Sequence, residues 1–128
     1  MATEFALSVG FHILGTNVKG VITNVNGPFI MSRKQAFLDF LGRIRDWVGH
    51  HHWVMGGDFN LICSLEEKRG GSRSLNKISD TFNEKTSEWE LIYVQTSNDL
   101  FTWNNKITGE RQIVSRLEKF LISESILT

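Results

Sequence analysis

Trp53-Val54-Met55-Gly56-Gly57-Asp58-Phe59-Asn60 is the stretch that decides how this chain folds. Its first three residues form a short apolar run of the kind expected for a buried parallel strand, and the two glycines with Asp58 and Asn60 read as a turn at that strand's end. Immediately upstream, Ser32 and Gln35 have capping-box spacing and open a helix with Phe37, Phe40, Leu41, Ile44, Trp47 and Val48 on one face. Gly49 ends that helix, and His50-His51-His52 is read as a polar turn. Further upstream, the alternating segments Phe5 to Phe11 and Val21 to Val25 flank a polar Gly15 to Gly20 turn and read as a hairpin stopped by Gly27-Pro28. Strand, helix and strand make a βαβ unit, whose right-handed crossover would put Gly57 to Asn60 at the carboxyl end of the second strand, where open α/β sheets build their sites.

Downstream, Ser64 to Lys77 is charged and glycine-rich and reads as a long surface loop. A second helix is expected from Ile78 to Trp89, with a seam of Ile78, Phe82 and Trp89 interrupted by Lys85, so its packing should be poor. Three short strands follow at Leu91 to Val94, Leu100 to Trp103 and Leu117 to Ile122. No internal repeat, linker or low-complexity tract divides the chain, so residues 1–128 read as one domain.

Composition narrows the function classes. The 128 residues carry 14 basic and 14 acidic side chains, which excludes the strong positive field of an arm-type nucleic-acid binder and leaves only local contacts. No run of about 18 apolar residues is present, so no transmembrane helix is expected. The Phe5 to Gly15 stretch fails as a signal-peptide core because Glu4 precedes it and His12 interrupts it. The single cysteine, Cys63, cannot form an intrachain disulfide and reads as a buried small apolar residue. An intracellular location, nuclear or cytoplasmic, is the expectation.

The chemistry is concentrated in Asp58 and Asn60. An aspartate on a glycine-supported turn can hold a water or hydroxide near a divalent ion, and an asparagine two residues on points to the same side of an extended chain, so a carboxylate and a neutral donor can address one phosphate. The alternative is an Asx turn that only ends the strand.

Several further segments stand in order around this motif: Val21-Ile22-Thr23-Asn24-Val25-Asn26-Gly27-Pro28, Ser64-Leu65-Glu66-Glu67-Lys68-Arg69-Gly70-Gly71, Thr96-Ser97-Asn98, Leu100-Phe101-Thr102-Trp103-Asn104 and Ser115-Arg116-Leu117-Glu118-Lys119-Phe120-Leu121. Together they make the chain resemble the endonuclease/exonuclease/phosphatase superfamily, most closely the apurinic-type endonuclease domain of plant LINE-type non-LTR retrotransposons. The resemblance implies the C-terminal half of a two-sheet α/β sandwich with outer helices, and a Mg²⁺-dependent phosphodiesterase that nicks DNA. Asp58 would align the attacking water and be the one metal-associated carboxylate, Asn60 would bind the scissile phosphate, and Thr102 would contact DNA.

Departures from the family pattern fall at the site itself. Asn26 stands where the family has a phosphate-holding tyrosine, and Glu118 stands where it has a supporting aspartate. An extra methylene at Glu118 displaces the carboxylate by about a bond length, and a misplacement near 1 Å can cost ~100-fold in rate. The family's first half supplies an asparagine and a metal-binding glutamate, and its final segment an aspartate-histidine pair; the chain reads as beginning after the first and ending before the second. The resulting expectation is a retrotransposon-derived endonuclease module that is truncated and weak or inactive. The alternatives are a catalytically dead fragment that binds nucleic acid or protein, and a phosphatase of the same superfamily.

Other candidates are weaker. His50, His51 and His52 on an extended segment alternate sides and cannot all face one ion. Glu66-Glu67 reads as solvent-facing. Lys68, Arg69 and Arg73 form a basic patch from which Arg69 and Arg73 could touch a phosphate. Phe101 and Trp103, alternating with Thr102, read as core strand residues. A sandwich short of strands would also expose an unprotected sheet edge, through which copies of the chain would self-associate.

Overall fold

The computed structural model describes residues 2–70, 75–94, 103–106, 108–109, 114–115 and 117–127. Two strands open the chain, β1 (Ala6–His12) and β2 (Lys19–Asn26), paired antiparallel from Ala6 opposite Val25 to His12 opposite Lys19. Helix α1 (Met31–Val48) leads to β3 (His52–Asp58), which lies parallel to β2. After the 3₁₀ turn Leu65–Glu67 come β4 (Lys68–Arg69), α2 (Lys77–Glu88), β5 (Leu91–Tyr93), β6 (Trp103–Asn104), β7 (Val114–Ser115), β8 (Glu118–Ser123) and a closing 3₁₀ turn, Glu124–Leu127. The main sheet has the order β1-β2-β3-β8-β5, and β4-β7-β6 form a small second sheet. This is the mixed α/β class that the sequence leads one to expect, with the hairpin and the βαβ unit where the periodicities put them.

One face of the main sheet carries the core. Val21, Thr23 and Val25 on β2 alternate with exposed Ile22 and Asn24, and their register partners Trp53 and Met55 are buried with them. Phe37, Leu38, Phe40, Leu41, Ile44 and Val48 repeat at the three-to-four spacing of an α-helix and bury α1 in the same cluster. An aromatic series runs through it, from Phe5 to Phe37 to Phe59 to Phe82, with successive ring centroids 5.7, 6.4 and 5.5 Å apart.

Four sequence expectations change here. Ser32 does not cap α1: extended Ile30 holds the cap position without a side-chain bond, Ser32 already lies in the first turn, and Gln35 Nε2 donates to Asp39 Oδ1 instead. Trp47 is 47% exposed, because the buried stripe passes from Ile44 to Val48. Nor is α2 poorly packed. Its buried positions are Ser79, Phe82 and Thr86, so Lys85 lies off the seam and reaches Glu88 instead, and Asn76 caps the helix by accepting the Ser79 N–H at 2.9 Å. The stretch expected to be one long loop holds the Leu65–Glu67 turn and β4, while Leu100, Phe101 and Thr102 lie outside the described residues.

The opposite face of the main sheet carries no helix residue of that core. Register places Val9, Ile22, Val54, Ile122 and Ile92 in one row, one residue from each of the five strands. The next row includes Leu7, Asn24, Gly56 and Phe120, with Phe120 lying over Gly56 so closely that a Cβ there would meet its ring. A solvated sheet face ordinarily alternates toward polar residues. Here Leu7, Val9, Ile22 and Phe120 are all about half exposed.

Candidate functional site

At the carboxyl ends of β2 and β3 this same face turns polar. Asn26, Asp58 and Glu118 are direct register partners on three adjacent strands, so their side chains leave the sheet on one side at neighbouring-strand spacing, about 5 Å. Asn26 and Glu118 are exposed and Asp58 is half-buried. The backbone next to them is tightly set. Gly57 has φ 134°, where a side chain is strained, and a Cβ on it would run into the Val25 carbonyl of the neighbouring strand.

The Asp58-Phe59-Asn60 turn is clamped from three sides. Asp58 Oδ1 accepts the Asn60 N–H at 2.8 Å, Asn60 Nδ2 donates to the Gly27 carbonyl at 2.6 Å, and Gly27 N–H donates to the Asp58 carbonyl at 2.7 Å. Phe59, fully buried, pins the turn from below, and its N–H donates to the Leu117 carbonyl at 3.0 Å. The sequence argument placed Asn60 beside Asp58 by strand alternation. The strand instead ends at Asp58 and Asn60 is left-handed, φ 51°, a conformation asparagine tolerates better than most residues. One oxygen of Asp58 is thus held within the turn, and one of the two Asn60 amide hydrogens is committed to Gly27.

Lys34, which the sequence did not single out, belongs to this site. From the first turns of α1 it donates from Nζ to the Asn60 carbonyl at 2.5 Å, and it is buried. Burial pulls its ammonium below the usual lysine range, and the Asp58 carboxylate pulls it partly back. The one available signal was its place in the first turns of a helix that starts just after Gly27-Pro28.

The remaining sequence candidates separate. Arg69 is exposed on β4, in the small sheet and not the one carrying Asp58. Thr102 and Arg73 lie outside the described residues. Glu67 is not solvent-facing: its side chain is 13% exposed and pairs at 2.9 Å with Lys119, 1% exposed, while the same Oε1 accepts the Cys63 N–H at 2.6 Å. Cys63 is buried as expected, and burial pushes its thiol up to about 11.

Magnesium takes a near-octahedral set of oxygens, commonly one or two carboxylates completed by water and substrate phosphate. Among the described residues no group of three or more His, Cys, Asp or Glu gathers around one point. Asp58 and Glu118 bring two neighbouring carboxylates and nothing further, so the described residues do not by themselves fit a resident Mg²⁺ site. Among the same residues, no helix is long and apolar enough to cross a membrane.

Solved structures share this mixed α/β fold. The chain superposes on the endonuclease domain of TRAS1, a telomere-specific non-LTR retrotransposon, with TM-score 0.74 and 17% identity over 98% of this chain and 53% of that one. It also superposes on an endonuclease/exonuclease/phosphatase family protein from Bacteroides thetaiotaomicron, with TM-score 0.60 and 15% identity, covering 94% of this chain and 42% of that one. A functionally unknown conserved protein from Enterococcus faecalis V583 gives TM-score 0.54 and 14% identity, covering 92% and 43%. The chain therefore spans about half the length of these proteins. No family model matches the sequence, and no curated protein does.

Proposed function

We propose that this chain is the phosphate-positioning half of a phosphodiesterase that nicks DNA, derived from a non-LTR retrotransposon endonuclease and weakly active by itself. The observation that carries the reading is the clamped Asp58-Phe59-Asn60 turn, flanked on its sheet by Asn26 and Glu118. With Asp58 Oδ1 held by the turn, Oδ2 accepts a proton from a water and aims it at phosphorus, while the second amide hydrogen of Asn60 donates to a phosphate oxygen. Lys34 adds positive charge behind Asn60 and stiffens the turn through its carbonyl. Attack forms a new P–O bond, and the bond from phosphorus to the departing sugar oxygen breaks, that oxygen leaving with a proton from solvent. Mg²⁺, expected from the fold likeness, would neutralise phosphate charge; its ligands are not complete among the described residues, and none of these roles depends on it.

Losing one positioned donor of this kind typically costs ~10²- to 10³-fold, and groups that act together fail together, so a low residual rate is expected. The test is nicking of supercoiled plasmid in Mg²⁺ by the chain and its Asp58→Ala variant, with anisotropy of a labelled duplex measured in parallel. A nicking rate a few-fold above the protein-free control, abolished by Asp58→Ala with duplex binding retained, is expected. Equal rates for parent and variant would refute the role of Asp58, and efficient nicking by the parent would refute the weakness. The short donor set favours a second reading, a binding fragment without catalysis, for which the anisotropy change would stand alone.

A further inference from the structure

We propose that two copies of this chain pack face to face through the helix-free side of the main sheet, related by a twofold axis parallel to the sheet and perpendicular to its strands. The inference rests on the fold and not on nuclease activity, and because such a pair covers the Asp58 and Glu118 end of the face, any nicking belongs to the monomer. It rests first on the row of Val9, Ile22, Val54, Ile122 and Ile92, which crosses all five strands with β-branched side chains and no charge. Leu7 and Phe120 extend the row on one side, and Phe11 lies on the other, over Gly20. Phe11 and Phe120 fill the space over the glycines opposite them, so the face has no gap there when sheets pack about 10 Å apart.

Area is sufficient. The half-exposed Leu7, Val9, Ile22 and Phe120 with their partly covered neighbours offer roughly 500 Å² of apolar surface, so a pair would bury about 1,000 Å², the threshold for a specific interface, before its polar rim is counted. An isologous contact suits such a face because the aliphatic row of each copy lies over the Leu7 to Phe120 row of the other.

Charge selects the axis. At one end of the face stand Asp58 and Glu118; at the other stands His52, in register with Gly20, with Lys19, His50 and His51 close by in sequence. The seven residues of β3 separate these ends by roughly 20 Å. An axis along the strands would stack the carboxylates of both copies on each other. An axis across them lays each copy's acidic end over the other's histidine and lysine end, with Met55 near the axis. The face of β1 enters this interface through Leu7 and Val9 while its outer edge stays unpaired, so face packing takes the place of the edge pairing expected from sequence.

The test is sedimentation equilibrium of the full chain without DNA or metal, so that its result is separate from any nicking result. A dimer at tens of micromolar is expected. Val54→Lys should weaken it roughly 30-fold or more, as loss of a central interface residue does. If that variant does not fold, Ile22→Thr with Val54→Thr keeps the β-branched shape and should weaken the dimer in the same direction. Val54→Cys should cross-link to a dimer with a short bismaleimide, and Asp46→Cys on the helix side should not. A cooperatively folding monomer, growth beyond a dimer, or a dimer indifferent to both substitutions would overturn the proposal, the last pointing to edge pairing through β1.

Discussion

Replacing Lys119 by methionine removes a cation from the protein interior and keeps most of its stem. In the parent, Nζ lies 2.9 Å from Glu67 Oε1, with side-chain exposures of 1% and 13%. After the change, Glu67 keeps the Cys63 N–H at 2.6 Å and a narrow opening to water, and loses its counter-charge. Removing one member of a buried pair typically costs ~3–5 kcal/mol because the other charge is stranded, and the retained N–H puts the expected loss near the lower end, about 3 kcal/mol. Adding Glu67→Gln takes away the stranded charge, so the double variant should return to within about 1 kcal/mol of the parent, although Glu67→Gln alone strands Lys119 in turn. Urea unfolding followed by far-UV circular dichroism and by fluorescence of buried Trp53 measures all four corners of the cycle. Lys119→Met costing under 1 kcal/mol, with the double variant no more stable, would show that the carboxylate is hydrated and refute the reasoning. A domain of this size has only ~5–15 kcal/mol of net stability, so the pair decides whether β8 stays seated beside β3.

Gly57→Ala should cost at least about 2 kcal/mol in thermal unfolding, from a strained φ and a collision with Val25, whereas Gly15→Ala, equally left-handed with nothing within 4 Å, should cost about 1 kcal/mol. Asn76→Ala should destabilise by about 1 kcal/mol through the lost cap of α2, and Asn76→Asp should keep most of it; urea midpoints decide. The Cys63 thiol, pushed by burial from 9.0 up to about 11, is held protonated more firmly in the folded state than in the unfolded one. Stability from this source is therefore complete below about pH 9 and lost as pH rises through about 11, so the parent should lose about 2–3 kcal/mol relative to Cys63→Val between pH 8 and 11, and a pH-independent difference would contradict it.

The features legible in the sequence are those written as period. Alternation in Phe5 to Phe11 and Val21 to Val25 marked the hairpin, and the Phe37 to Val48 stripe marked α1, because each buries one face. Asp58 and Asn60 were legible as a pair, though the geometry that unites them is a left-handed turn and not strand alternation. Buried polar residues were not legible. Ser79 and Thr86 share the seam of α2 with Phe82, so a count of apolar residues alone found a gap at Lys85. Lys119 and Glu67 are 52 positions apart, and nothing local says that two charged residues will meet in the interior. Lys34 was hidden for the same reason, since its partner is a main-chain carbonyl on another element.

The position of β8 sets an order of assembly. Among the described residues it is the last strand, yet it lies between β3 and β5 and is the one strand through which β5 joins the main sheet. Residues 6–58 can form β1, β2, α1 and β3 from contacts close in sequence, while the pairing of Asp58 with Glu118 must close a loop of 60 residues. Long-range closures of this kind come late and slowly. Asp58 and Asn60 are therefore placed early, and Glu118 reaches their side only in the final step of folding, so on the ribosome the two halves of this polar cluster come together only after β8 has emerged.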